Sequence, residues 1–288
     1  MLKATSLAIA AAAAGTLIAG MPGYAQVDYS QDSFTDGIEL NRVGSTSAFE
    51  LFGTGYVQKG SHLFVGINSN LQLGGQPGSV LGGSIAWGDM FFNFAPDKTF
   101  NDALASGDVY GVRFEEKNDS SVSGLGLFKV DSTKSVASQN SGFNSLQAYL
   151  NNSVTKNETL GDVFDLNDSS FNYLPKTGGG GASTQSLIST VDGNKLSDVQ
   201  VLTASELSAE GFDFDSNLGQ TGSETYGFKF DISNLPGGSF IAHLWAECFN
   251  EGTAFEGEIA SVPEPTSALA LAVVGGVAWA RKRKGSNA

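Results

Sequence analysis

The sequence predicts an all-β fold: an antiparallel β-sandwich, jelly-roll-like, with few short helices. Three observations carry that prediction. Apolar and polar residues alternate with period two in several segments, as half-buried strands require. Turn residues recur between those segments. Charged residues make up only 16% of the chain, against ~25% in an average domain, so Ser, Thr, Asn and the 37 glycines supply much of the polar surface.

The elements follow in order. Strands are expected at 48–52, at 62–67 (where Leu63, Val65 and Ile67 alternate with His62, Phe64 and Gly66), and at 85–94, 109–115, 125–130 and 198–202. The cleanest one-sided strand is 225–232, where Tyr226, Phe228, Phe230 and Ile232 alternate with Gly227, Lys229 and Asp231. A further strand covers 239–249. Its link to 225–232 contains Pro236-Gly237, a turn step, so the two are expected to form a hairpin that pairs with strands from 48–130. Short helices are expected over 145–151 and from Thr203 to Glu210, the latter with a capping-box pattern and a stop at Gly211. A flexible glycine-rich loop over 176–185 reads as a long excursion on one sandwich.

The ends differ in kind from the body. Met1-Leu2-Lys3, an apolar run from Ala8 to Gly20 and small residues before Gln26 have the layout of a secretory signal peptide over 1–25, cut between Ala25 and Gln26 by signal peptidase after passage through the Sec translocon. At the other end, Val262-Pro263-Glu264-Pro265-Thr266 precedes an apolar run, Ala268 to Ala280, and then Arg281-Lys282-Arg283-Lys284. The prolines hold the chain extended. The run, expected as a membrane helix over 267–280, partitions into lipid, and the four cations stop transfer and stay cytoplasmic. The run is short for a span, which snorkelling and local thinning accommodate.

The tail over 263–288 resembles the PEP-CTERM sorting signal of exosortase substrates. The resemblance implies recognition around Pro263-Glu264-Pro265 by an exosortase, a membrane cysteine peptidase or transpeptidase, and a setting of extracellular polysaccharide or biofilm matrix. The body is similar to cyanobacterial exosortase-dependent surface proteins in Trp87-Gly88-Asp89-Met90-Phe91-Phe92-Asn93 and in the block from Gly211-Phe212-Asp213 to Glu251-Gly252. That likeness implies a location and no activity. Both ends thus place an ectodomain, 26–262, at the cell envelope or surface, anchored stably or transiently by its C-terminal helix.

The ectodomain carries 11 Lys and Arg against 29 acids, a net charge of −18. Such a surface repels nucleic acid and anionic lipid and tolerates divalent cations. Cys248 is the only cysteine, so no intramolecular disulfide forms; with Ala242, Leu244 and Ala246 on one strand face it reads as a packed thiol. No nucleophile-elbow serine, P-loop or dinucleotide-binding glycine pattern occurs. His62 and His243 read as structural or surface imidazoles, and zinc lacks its usual ligands.

Carboxylates leave two chemistries open. Asp89 and Glu247, near Trp87 and Trp245, are the candidate pair for a glycosidase, set against outward-facing strand acids. Asp213-Phe214-Asp215-Ser216-Asn217 and Asp165-Leu166-Asn167-Asp168 offer oxygen ligands for Ca2+, set against solvated acidic turns without an EF-hand pattern. Trp87 and Trp245, if exposed and coplanar, would stack on sugars in a carbohydrate-binding module of the extracellular polysaccharide matrix. Leu174-Pro175-Lys176-Thr177-Gly178 matches a sortase pentapeptide but lacks an adjoining helix. Asn118, Asn151, Asn157 and Asn167 begin Asn-x-Ser/Thr triplets, as chance allows in this composition. The expected function is a secreted surface or matrix protein with no catalysis and no obligatory cofactor.

Overall fold

A computed structural model describes residues 26–153, 159–161, 164–165, 173–177 and 183–260. The signal segment 1–25 and the whole sorting tail 263–288 lie outside the described residues. Within them the chain is mostly β, in antiparallel sheets.

Eleven strands make the two main sheets. They are β1 (Asp28–Gln31), β2 (Leu51–Lys59), β3 (His62–Ser69), β4 (Met90–Asn93), β5 (Val109–Arg113), β6 (Gly126–Lys134), β7 (Leu187–Val191), β8 (Val199–Thr203), β9 (Glu224–Asp231), β10 (Gly238–Trp245) and β11 (Gly252–Ile259). The five-stranded sheet runs β1-β2-β3-β9-β8 and the six-stranded sheet runs β7-β6-β5-β4-β10-β11. Neighbours in sequence are mostly neighbours in a sheet, and the chain changes sheet between β3 and β4, β7 and β8, and β9 and β10. This is a meander order. It corrects the jelly-roll expectation, in which strands alternate between layers, because short links such as Gly60-Ser61 keep successive strands paired.

The hairpin expected for 225–232 and 239–249 is also corrected. β9 pairs with β3 and β8, whereas β10 pairs with β4 and β11, so Pro236-Gly237 lies on a passage between sheets. Burial gives the reason. β9 buries Tyr226, Phe228 and Phe230 on one face while Lys229 and Asp231 stay partly exposed. β10 is covered on both faces: Phe240, Ala242 and Leu244 join one core cluster, and Ile241 and Trp245 another. The pairing therefore follows the cores: β10 packs between two clusters in the six-stranded sheet, while β9 faces the shared core from the five-stranded one. The expected pairing of both with strands from 48–130 holds, one in each sheet.

The largest core cluster draws residues from both sheets, including Leu63, Val65, Phe228 and Phe230 from one and Phe92, Val112, Phe240 and Leu244 from the other. Ring contacts join them, Phe114 stacking on Phe228 at 4.7 Å and Phe92 meeting Phe230 edge-on at 5.8 Å. Helices cover the outer faces. α1 (Phe100–Ser106) and α2 (Leu146–Ser153) pack on the six-stranded sheet; α3 (Ala204–Ala209) and α4 (Phe214–Asn217) pack on the other. Thr203 caps α3 with the reciprocal Glu206 bond of a capping box, as expected. The segment between β6 and β7, which contains the glycine-rich loop, joins two adjacent strands of one sheet. The expected 85–94 strand is broken into Ser84–Ile85 and β4, because Gly88 meets backbone on two sides: a Cβ there would lie 2.1 Å from the Ser186 carbonyl oxygen.

Candidate functional site

Four acids spread along the chain come together in the fold. Asp32 follows β1 directly, Asp36 lies in the loop after it, Glu50 precedes β2, and Glu251 precedes β11. All four are buried, at 2%, 0%, 0% and 0% exposure. One oxygen of each is held by a protein donor at 2.8 Å: Asp32 Oδ1 by the Gly161 N–H, Asp36 Oδ2 by the Tyr149 hydroxyl, Glu50 Oε2 by the Gly37 N–H, and Glu251 Oε1 by the Gly252 N–H. Oxygens of Asp32, Asp36 and Glu251 all lie within 4.8 Å of one another.

The local chain explains the approach. Ile38 N–H donates to the Asn250 carbonyl and the Asn250 side chain donates back to the Ile38 carbonyl, which ties the Asp36 loop to the turn bearing Glu251. Gly37 sits between two carboxylates; a Cβ there would meet Glu50 Oε2 at 2.6 Å and Glu251 Oε2 at 2.7 Å. Only glycine allows that crowding.

Electrostatics set the acids against one another. Burial, then the Asp36 charge, pushes the Asp32 carboxyl well above the usual range. Burial, then the charges of Asp36, Asp32 and Glu50, does the same to Glu251. No N–H or O–H donor meets Asp32 Oδ2 or Glu251 Oε2, so a proton between the two carboxyls is the one hydrogen bond open to them. Among the described residues, no Lys, Arg or His side chain bonds to either. Chemically, the group can hold a shared proton or a cation bound through oxygen.

Asp89 and Glu247, the candidate pair for a glycosidase, are also fully buried, so they are not outward-facing strand acids. Asp89 accepts from the Asn118 side chain, the Ser120 hydroxyl and the Ile188 N–H at 2.7–3.0 Å. Glu247 accepts from the Ala86 and Asp119 N–H groups. These acids fasten the 115–122 loop, which Arg113 also grips through the carbonyls of Glu115, Glu116 and Asn118. Burial raises both, Glu247 from 4.5 to about 8.

Trp87 and Trp245 are fully buried, so neither reaches a sugar. Trp87 donates to the Tyr226 hydroxyl at 2.6 Å, and Trp245 stacks on Phe249 at 3.9 Å. His243 lies among Phe91, Phe100 and Tyr173, and burial lowers it from 6.5 to about 3. His62 opens β3 as expected. Cys248 is buried in the cluster that holds Ala242, Leu244 and Ala246, and burial pushes its thiol up to about 12.

Of the expected calcium segments, Asp213 instead caps α4 through the Ser216 N–H, and Asp215 accepts from Thr221; 166–168 lie outside the described residues. Leu174 of the pentapeptide is buried, and its Gly178 is not described. Asn118 is buried and bonded to Asp89; Asn151 is exposed; Asn157 and Asn167 are not described. One member carries a local signal, Glu50 between Phe49 and Leu51; Glu251, between Asn250 and Gly252, carries none. Beside the cluster, a cavity of about 490 Å3 is lined by Ile38, Phe49, Phe143, Glu39, Gln76 and Asn250, among others.

Comparison of the chain with protein-family models, with curated proteins and with solved structures found no match. No helix among the described residues is long and apolar enough to cross a membrane.

Proposed function

We propose that the chain is an exported cell-surface or extracellular-matrix protein, sorted and processed by an exosortase through Val262 to Thr266, with no catalysis of its own. The observation that carries this reading is the order of the tail: a Pro-Glu-Pro segment, an apolar run, then Arg281 to Lys284. Each part does a separate job at a membrane, the first held extended for an enzyme, the second partitioning, the third arresting. The signal-peptide layout of 1–25 and the −18 charge of 26–262 support it independently. The shared core supports reading the two sheets as layers of a sandwich that presents a soluble body outside the cell.

The test is the mass and location of the product in an exosortase-bearing host. The mature chain is expected to start at Gln26 and to lack Arg281 to Lys284. Glu264→Ala, or Pro263→Ala with Pro265→Ala, is expected to leave the membrane-bound precursor with its basic tail. Normal maturation of those variants overturns the exosortase assignment.

A second reading, a glycan-binding module, is favoured by the cavity beside the acids. Its half-buried Phe143, with Glu39 and Gln76, offers a ring face and polar groups of the kind sugars use. A glycan screen on the full chain, repeated with Phe143→Ala, tests it; binding that survives this change places the glycan elsewhere.

A further inference from the structure

We propose that Asp32, Asp36 and Glu251, with Glu50 beside them, form a buried site for one divalent cation of the calcium class. Distance is the first ground. Oxygens that share one Ca2+ at about 2.4 Å lie no more than about 4.8 Å apart, and those of Asp32, Asp36 and Glu251 fall within that limit. Orientation is the second. Asp32 and Glu251 each spend one oxygen on a backbone N–H and leave the other buried and without a hydrogen-bond partner.

A third ground does not involve the acids. Ser30 and Thr54 face each other across β1 and β2, are 5% and 0% exposed, and their hydroxyls have no partner. Ser30 shares its strand face with Asp32 two residues on, while Gln31 between them is exposed. Two more unpartnered oxygens therefore lie on the strand face that carries Asp32. Leaving such a group bare costs about 1–3 kcal/mol, which a bound ion would offset.

The donor set selects the ion. The cluster contains only oxygen and no imidazole or thiolate, which suits a hard cation over zinc or copper. The unpartnered oxygens are closed to solvent, which suits Ca2+, able to take most of its ligands from protein, over Mg2+, which keeps several waters. Gly37 keeps the space between Glu50 and Glu251 free of a side chain. The inference does not rest on the sorting reading; it concerns the folded body alone.

The full chain, stripped with EDTA, is titrated with Tb3+ and then Ca2+. One Tb3+ per chain is expected, its emission sensitised by Tyr149, whose hydroxyl lies 2.8 Å from Asp36, and displaced by Ca2+. The midpoint of thermal unfolding is expected to rise by about 5–10 °C at a hundredfold excess of Ca2+ over Kd, with less effect from Mg2+. Glu251→Gln and Asp32→Asn are each expected to weaken binding at least about tenfold. Asp213→Asn and Asp215→Asn, on the exposed α4 turn, are expected to leave it unchanged. Should the cluster variants fail to fold, the wild-type titration decides alone. No sensitised emission and no midpoint shift overturns the site, as does binding that follows Asp215 and ignores Glu251. A wild type indifferent to Ca2+, with Glu251→Gln more stable in EDTA, means a shared proton occupies the group and also overturns it.

Discussion

Glu247 and Glu251 are four residues apart on the turn between β10 and β11, both fully buried, yet their surroundings are opposite. Glu247 and its neighbour Asp89 are met by three backbone N–H groups, a hydroxyl and a side-chain amide, with the Arg113 charge acting favourably on Asp89. Glu251 and Asp32 receive one N–H each, Asp32 also meets the Thr253 hydroxyl, and otherwise they face other acids. The contrast separates two uses of a buried carboxylate. In the first group the protein supplies its own donors, so the acids are fasteners for a loop. In the second the chain supplies few, and burial with mutual repulsion drives Asp32 and Glu251 toward their protonated forms.

The largest effect expected from this contrast is at the fastened group. Asp89→Ala strips the acceptor from three buried donors at once and is expected to cost about 3–5 kcal/mol, read from the midpoint of urea unfolding. A loss under about 1 kcal/mol would mean that the 115–122 loop does not depend on these bonds.

Next comes pH. Burial raises Glu247 from 4.5 to about 8, so the folded protein keeps a proton that the unfolded chain releases. Its contribution to stability is complete below about pH 4.5 and drains away as pH rises through about 8, at no more than about 1.4 kcal/mol per pH unit. Glu247→Gln, the isostere of the protonated acid, is expected to flatten that stretch of the stability–pH curve. Parallel curves for the two proteins would assign the slope to other groups.

How far the sequence reveals this arrangement depends on the range of the contacts. Strands were legible where large apolar residues recur at every second position: β9 shows it in Tyr226, Phe228 and Phe230, and β3 in Leu63, Val65 and Ile67, although β3 is buried on both faces. The capping box at Thr203 was legible because all its partners lie within four residues. The sheet partner of β10 was not, because Pro236-Gly237 fits a hairpin turn and a crossing equally well. Only the tertiary pairing of β10 with β4 and β11 tells them apart. β1, β7 and β11 went unseen, being short or rich in Gly and Thr. The acid cluster is the furthest from local reading, since its members come from positions 32, 36, 50 and 251 and meet only through tertiary pairing. The tryptophans misled for a simple reason: a strand shows which residues share a face, not which face is wet.

A charge-neutralising change should reverse its sign between the two groups. In EDTA, Glu251→Gln removes one of several mutually repelling acids, keeps an acceptor for the Gly252 N–H and gains a donor toward Asp32. It is expected to stabilise by about 1–2 kcal/mol, whereas the same kind of change at Asp89 destabilises. In saturating Ca2+ the order of Glu251→Gln and wild type is expected to invert. Urea midpoints under both conditions check it, and destabilisation in EDTA would show that the cluster already satisfies Glu251.

The smallest effect sharpens the comparison most, because it touches no charge. Thr54→Val replaces a buried hydroxyl that has no partner with a methyl of nearly the same shape. Without an ion this is expected to stabilise by up to about 1 kcal/mol, since an unmet polar atom leaves the interior. With Ca2+ the gain is expected to shrink or vanish if the hydroxyl oxygen turns toward the ion. A loss of stability in EDTA would mean that Thr54 already spends its hydroxyl within the protein, and the contrast between a supplied and an unsupplied group of polar atoms would narrow to the carboxylates alone.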